Sequence, residues 1–203
     1  MEVSSVDAAS PRAPRRTANP GVEPIGLRRV SYTYPRRPGE ALSDINVYLM
    51  PGETTVLAGP VGAGKSTIAR LVMRNADPEG GQISCGGVDL REMDRDAWQS
   101  QIACIPQGLS PTELQQIAAA PGFLGERPLL IADEPSAHLD ASDIALVAET
   151  LASMARGRTT LLITNEPRLI DLADAIYVIR AGRLVSSETG RGTQRTRSDG
   201  RAT

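Results

Sequence analysis

Nine consecutive residues, Gly59-Pro60-Val61-Gly62-Ala63-Gly64-Lys65-Ser66-Thr67, follow the pattern G-x-x-x-x-G-K-[ST]. Glycines let a backbone curl until successive N–H groups converge on one point, and a helix beginning at Ser66 would add the positive end of its dipole there. Such a pocket suits phosphate oxygens. Lys65 would reach the β- and γ-phosphates of a nucleotide, with the Ser66 hydroxyl on Mg²⁺. The competing reading is a flexible glycine loop with an accidental lysine. Composition speaks against it: Lys65 is the only lysine among 22 basic residues, all the others being arginine. A compact ammonium on a flexible stem fits a tight loop around phosphates better than a forked guanidinium does.

For the loop to work it needs a strand before it and a helix after it. Residues 54–58 form a short β-rich run, and 66–74 place Ile68, Leu71 and Val72 on one helical face. Upstream, 27–34 and 43–50 read as strands, the second with Ile45, Val47 and Leu49 alternating with polar neighbours. Downstream come a strand at 129–132, a helix at 141–154, a strand at 159–164, a helix near 168–173 and a hairpin of 175–180 with 183–186. This alternation predicts an α/β fold of the P-loop NTPase type. Its sheet would be mainly parallel and flanked by helices, with an antiparallel β edge built by the first strands. Parallel strands present ligands at their carboxyl ends, and the apolar run 129–132 is followed by Asp133-Glu134. Asp133 is placed to hold Mg²⁺, directly or through water, and Glu134 to orient an attacking water.

With both motifs in order, the chain resembles the nucleotide-binding subunit of an ABC transporter, closest to the exporter type, over roughly residues 25–186. The resemblance implies ATP and Mg²⁺ as ligands. It assigns Tyr34, in Ser31-Tyr32-Thr33-Tyr34-Pro35, to stacking on adenine; a half-buried strand aromatic is the plainer alternative. Gln107, in Ile105-Pro106-Gln107, matches the glutamine loop that senses Mg²⁺ and the γ-phosphate. Ala137-His138-Leu139-Asp140 matches the aspartate loop of the dimer interface. Implied partners are a second nucleotide-binding chain, identical or different, and transmembrane subunits on other polypeptides. The implied place is the cytoplasm, peripheral at the inner face of the membrane.

Three departures bear on mechanism. Only 25 residues separate Gln107 from Asp133, too few for the helical subdomain by which the family docks on membrane subunits. The signature loop aligns only with Leu109-Ser110-Pro111-Thr112-Glu113, where proline removes an N–H and threonine adds bulk. Ser110 and Glu113 have capping-box spacing, so 109–120 reads equally well as an ordinary capped helix. Asn165, in Thr164-Asn165-Glu166-Pro167, stands where the family has a switch histidine. Its amide can bond phosphate but cannot become cationic, which weakens stabilisation of a transferring phosphoryl group.

A chain of 203 residues with 40% apolar and 23% charged residues can bury one sizeable core. The formal net charge of −2 argues against nucleic acid as a partner. No apolar run is long enough to cross a bilayer, so a membrane role would come through a partner. Cys85 and Cys104 lack metal-ligand neighbours and read as two small buried thiols. Residues 1–23 and 187–203 have the composition of disordered tails around a domain at 24–186. The leading expectation is a slow Mg-dependent ATPase serving transport, with Lys65, Glu134 and Asn165 in the catalytic roles. A non-hydrolysing regulatory protein that uses the same site is the alternative, and a poorly folding remnant ranks third.

Overall fold

A computed structural model describes residues 16–36 and 39–189 of the 203. The phosphate loop lies between β3 (Thr54–Ala58) and α1 (Lys65–Val72), preceded by β1 (Ile25–Tyr32) and β2 (Leu42–Leu49). After α1 come β4 (Gly80–Cys85), β5 (Val88–Asp89), a single 3-10 turn, α2 (Arg95–Ser100) and β6 (Ile102–Ile105). The short helices α3 (Pro111–Ala119) and α4 (Pro121–Leu124) lead to β7 (Leu129–Asp133) and α5 (Ala141–Ala155). The order closes with β8 (Thr159–Ile163), α6 (Pro167–Ile170), β9 (Ala175–Arg180) and β10 (Arg183–Thr189).

The main sheet has six strands in the order β10-β9-β3-β8-β7-β6, all pairs parallel except β10 with β9. Its antiparallel edge is therefore the last strand. The first strands instead form a sheet of their own, β2-β1-β4-β5, antiparallel throughout. Every residue of β3 and β8 is buried, because both faces of the main sheet are covered. Leu57, Ile131 and Ile163 pack toward α1 and the second sheet, whereas Val56, Leu130 and Leu162 pack toward α3, α5 and α6.

Five elements have no expectation behind them: β4, β5, α2, β6 and α4. Gly80 and Gly81 disguise the start of β4, and α2 is only six residues long. Yet α2 has a clear task. Asp94 caps it by accepting from the Asp96 and Ala97 amides. Its Trp98 Nε1 donates to the Val72 carbonyl at 2.8 Å, and Gln99 Nε2 donates to the Met73 carbonyl at 2.9 Å. Two of the carbonyls that α1 leaves open at its end are thus satisfied from outside.

The packed chain runs further in both directions than composition suggests. Ala18 and Pro20 are buried, and Gln101 Nε2 donates to the Ala18 carbonyl at 3.1 Å. Thr159 Oγ1 donates to the Pro20 carbonyl. At the other end β10 continues to Thr189. The remainder of the two expected tails lies outside the described residues. The thiols also divide: Cys85 is buried and pushed up to about 12 by that burial and by the Glu23 charge, but Cys104 is exposed on edge strand β6.

The Ser110 capping box is complete. Glu113 N donates to Ser110 Oγ at 3.3 Å, and the Ser110 amide donates to Glu113 Oε2 at 2.8 Å. The Ser110 hydroxyl also bonds Glu113, which holds that exposed carboxyl below its usual range. Leu114 is fully buried and α3 packs on α5. The large apolar side chains exposed among the described residues are Val22, Tyr48, Met50, Val61 and Val185. None lies between Gln107 and Asp133, so the shortened segment closes without an apolar scar.

Replacing Trp98 by Phe should keep most of the ring packing but strand the buried Val72 carbonyl. We expect a loss of about 1–3 kcal/mol of unfolding free energy, measured by urea denaturation followed by circular dichroism; an unchanged midpoint would mean that this bond does not hold α1.

Candidate functional site

The loop leaves β3 through Gly59, whose φ of 139° is closed to other residues in practice. A Cβ there would also sit 2.0 Å from the Ile179 carbonyl oxygen. At the other end Gly64, φ 104°, is the N-cap of α1, and a Cβ would meet the Ala41 carbonyl at 2.8 Å. Both ends are thus fixed by backbone from other segments. Between them the Ala63 amide donates back to the Pro60 carbonyl at 3.1 Å, and Val61 at the tip is 91% exposed.

Lys65 is the first residue of α1 and only 4% exposed. Its ammonium donates to the carbonyls of Gly59 at 2.7 Å and Pro60 at 3.1 Å, and lies 3.3 Å from Glu134 Oε1. The loop therefore encloses the charge that it would use. One residue on, Ser66 Oγ donates to Asp133 Oδ1 at 3.1 Å, tying the start of α1 to the end of β7. Burial pushes the Asp133 carboxyl above its ordinary value; the Ser66 bond opposes this, the neighbouring Glu134 charge adds to it, and Lys65 lowers it. A half-buried carboxylate beside a hydroxyl, short of positive charge, is the donor set that a hard dication satisfies. Glu134 follows with φ 45°, a conformation that costs a non-glycine residue energy and is found mainly where geometry serves a site. Its amide donates to the Ile163 carbonyl at 2.8 Å, which fixes the turn.

These groups line one cleft of about 830 Å³ together with Tyr34, Ala63, Thr67, Arg70 and Gln107. Tyr34 lies beyond the end of β1, so it is a cleft residue and not a strand aromatic. Its hydroxyl is 2.9 Å from Thr67 Oγ1, the Tyr32 ring meets its own edge-on at 5.1 Å, and the Arg70 guanidinium stands 5.6 Å from its centroid. Gly59 and Pro60 are not part of that lining; their carbonyls accept from the Lys65 ammonium. Asn165 lies in a smaller adjoining cleft of about 250 Å³ with Glu134, Ser136, Ala137, Thr164 and Glu166. Asp140 accepts from the Ser142 and Asp143 amides, both at 3.0 Å, and caps α5.

Sequence reasoning missed Arg70 and Glu40 as cleft residues and, though it expected the Ala181-Gly182 turn, not that this turn lines the main cleft. Arg70 was within reach: it stands three and four residues after Thr67 and Ser66, on the helical face that meets the ligand. The turn's place in the cleft was not, since it arrives through β9 pairing beside β3.

Residues 42–119 match the model of the ABC transporter family. The ATP-dependent lipid A-core flippase of Alkalilimnicola ehrlichii is 31% identical over 222 residues, a match that takes in 82% of this chain and 38% of the flippase. The flippase of Thiobacillus denitrificans is 29% identical with the same shares. Among solved structures, a bacterial Atm1-family ABC exporter with ATP bound superposes with a TM-score of 0.70 at 26% identity, over 90% of this chain and 41% of the exporter. The chain thus spans under two fifths of the length of these curated relatives. Since 82% of 203 residues is about 166, some 56 of the 222 aligned positions have no counterpart here.

The raised Asp133 pKa has a definite sign. An acid that is harder to ionise in the folded chain than in the unfolded one favours the fold while protonated, and that contribution is lost as pH rises through the folded pKa. At neutral pH the ionised group is then a burden on the ligand-free protein. Asp133→Asn should raise its melting temperature by no more than about 2–4 °C, because water screens a half-exposed carboxylate. The difference should shrink as pH falls through the carboxylate range; thermal unfolding of both proteins at neutral and acidic pH measures it, and a lower midpoint for Asn at pH 7 would overturn the assignment.

Proposed function

Because this chain carries the nucleotide-binding domain of the ABC transporter family, of the exporter type, we propose that it captures ATP with Mg²⁺ in the 830 Å³ cleft and hydrolyses it slowly in support of transport. The observation that carries this reading is the enclosed Lys65 ammonium beside the Ser66–Asp133 pair. One charge and one oxygen pair, at the ends of two parallel strands, match the tail of a triphosphate and its counter-ion.

The residues divide the work. Amides of 61–66 and the α1 dipole receive phosphate oxygens. Lys65 exchanges the two loop carbonyls and Glu134 for those oxygens, and this releases Glu134 to orient a water molecule. Ser66 and Asp133 would hold Mg²⁺, with Gln107 on the same cleft wall; the ion supplies charge neutralisation across the phosphates. Tyr34 offers an aromatic surface for the base, next to Arg70.

Slow turnover follows from two features. Asn165 cannot carry the positive charge that an imidazole would bring to the transferring group. Ser110 spends its amide and hydroxyl on Glu113, and Pro111 has no amide to give. The start of α3 therefore has little left for a nucleotide held by an opposing protomer, and a second nucleotide-binding chain would have to supply those donors. No helix among the described residues is long and apolar enough to cross a membrane. In this reading the domain serves membrane-spanning parts from the cytoplasmic face of the membrane. The segment 107–133, built here from two short helices, offers such partners a different surface from a full helical subdomain.

The test is phosphate release from Mg-ATP by the purified chain. We expect turnover well below the typical enzyme value of about 10 s⁻¹, at least tenfold lower still in Lys65→Ala. Glu134→Gln should bind Mg-ATP at least as well as the natural chain, having lost the carboxylate that competes for Lys65, while releasing no phosphate. Equal release by natural and Lys65→Ala proteins would sink the hydrolytic reading; thermal stabilisation by Mg-ATP with no turnover at all would favour a regulatory protein using the same cleft.

A further inference from the structure

Gly59 opens the phosphate loop, and its amide hydrogen does not point at the ligand cleft. It donates to the side chain of Asn165, at 2.9 Å, across 106 positions of sequence. A backbone N–H can only donate, so the atom that meets it is the amide oxygen, Oδ1. That single bond fixes the orientation of the whole carboxamide. Asn165 also lines the smaller cleft with Glu134 and Glu166.

The position of the bond matters. β3 and β8 are parallel neighbours, and their ladder ends with the Thr164 amide donating to the Leu57 carbonyl. The Gly59–Asn165 bond adds one rung beyond the last backbone rung, at the point where β3 turns into the loop. Gly59 is also the residue whose carbonyl takes the Lys65 ammonium at 2.7 Å. Its peptide groups are thus held on both sides: carbonyl by Lys65, amide by Asn165. When a nucleotide draws Lys65 toward its phosphates, the carbonyl tie goes and the Asn165 tie remains.

We propose that Asn165 is a positioning residue that latches the phosphate loop to the end of β8, so that the loop amides are already aligned when phosphates arrive. The proposal rests on the reading of the cleft as a nucleotide site, and it moves Asn165 from the transferring group to the loop. Its effect is then exerted on any nucleotide that uses the loop, with or without a γ-phosphate. An acceptor at this position is what the role requires; the donor side of the amide is spare.

Titration calorimetry of the full chain with Mg-ADP and Mg-ATP separates the possibilities. Asn165→Ala should weaken both ligands by a common factor of about five, the amount that one neutral hydrogen bond supplies, with a thermal unfolding scan confirming that the variant is folded. Asn165→His offers a ring nitrogen as acceptor only while neutral. Its Mg-ADP affinity, taken as a ratio to the natural chain, should be near one at pH 8 and fall on acidification through the imidazole range. A loss confined to ATP in the Ala variant, or tighter ADP binding by the His variant on acidification, would place Asn165 against phosphate and overturn the latch. Unchanged affinities in both variants would overturn it as well. Failure of the natural chain to bind either nucleotide would instead remove the proposed function, and this inference with it.

Discussion

A buried ammonium must have partners, and in this protein that requirement organises everything near it. Lys65 is 4% exposed and finds three oxygens, two from the loop that precedes it and one from Glu134. Leaving such a charge unpaired would cost several kcal/mol. The loop therefore curls back over its own lysine, β7 must end where Glu134 can reach it, and Gly59 must adopt a conformation that only glycine accepts. Under the proposed function, phosphate oxygens would replace these three partners of Lys65.

That exchange explains why the two acids after β7 behave differently. Asp133 is tied to Ser66 by a hydroxyl bond but lacks enough nearby positive charge, and burial leaves its ionised form dissatisfied. Glu134, beside Lys65, has a cationic partner already. In the proposed function a dication would answer the first need, and a triphosphate, by engaging the lysine, would remove the partner of the second. Under the proposed function, a magnesium nucleotide would bring charges of both signs to these two acids.

Much of this was legible in the residues. The loop, its strand and its helix are local features of consecutive residues, and β7 with Asp133-Glu134 reads from an apolar run and its end. Gln107 and Tyr34 could be placed in the cleft through resemblance, and the structure puts both on its wall. What could not be read depends on distant packing. β4 and β6 are strands only because neighbours pair with them, and six-residue α2 forms between a side-chain cap and the carbonyls of another helix. The first strands form a separate sheet because β2, at its edge, packs over β10 without extending the main ladder. The Asn165 bond to Gly59 joins residues 106 positions apart, and nothing in the local sequence announces it.

The grip of α2 on α1 has a consequence for how the cleft is connected. α1 begins with the two residues that would touch phosphate and metal, and its far end is clasped by Trp98 and Gln99. Two residues past the last of α2 the chain enters β6, and two residues past the end of β6 stands Gln107. The helix bearing Lys65 and the glutamine that lines the same cleft are therefore joined through α2 and β6 by a short run of chain. The short α3–α4 segment thus follows in the chain directly from the elements that clasp the far end of α1.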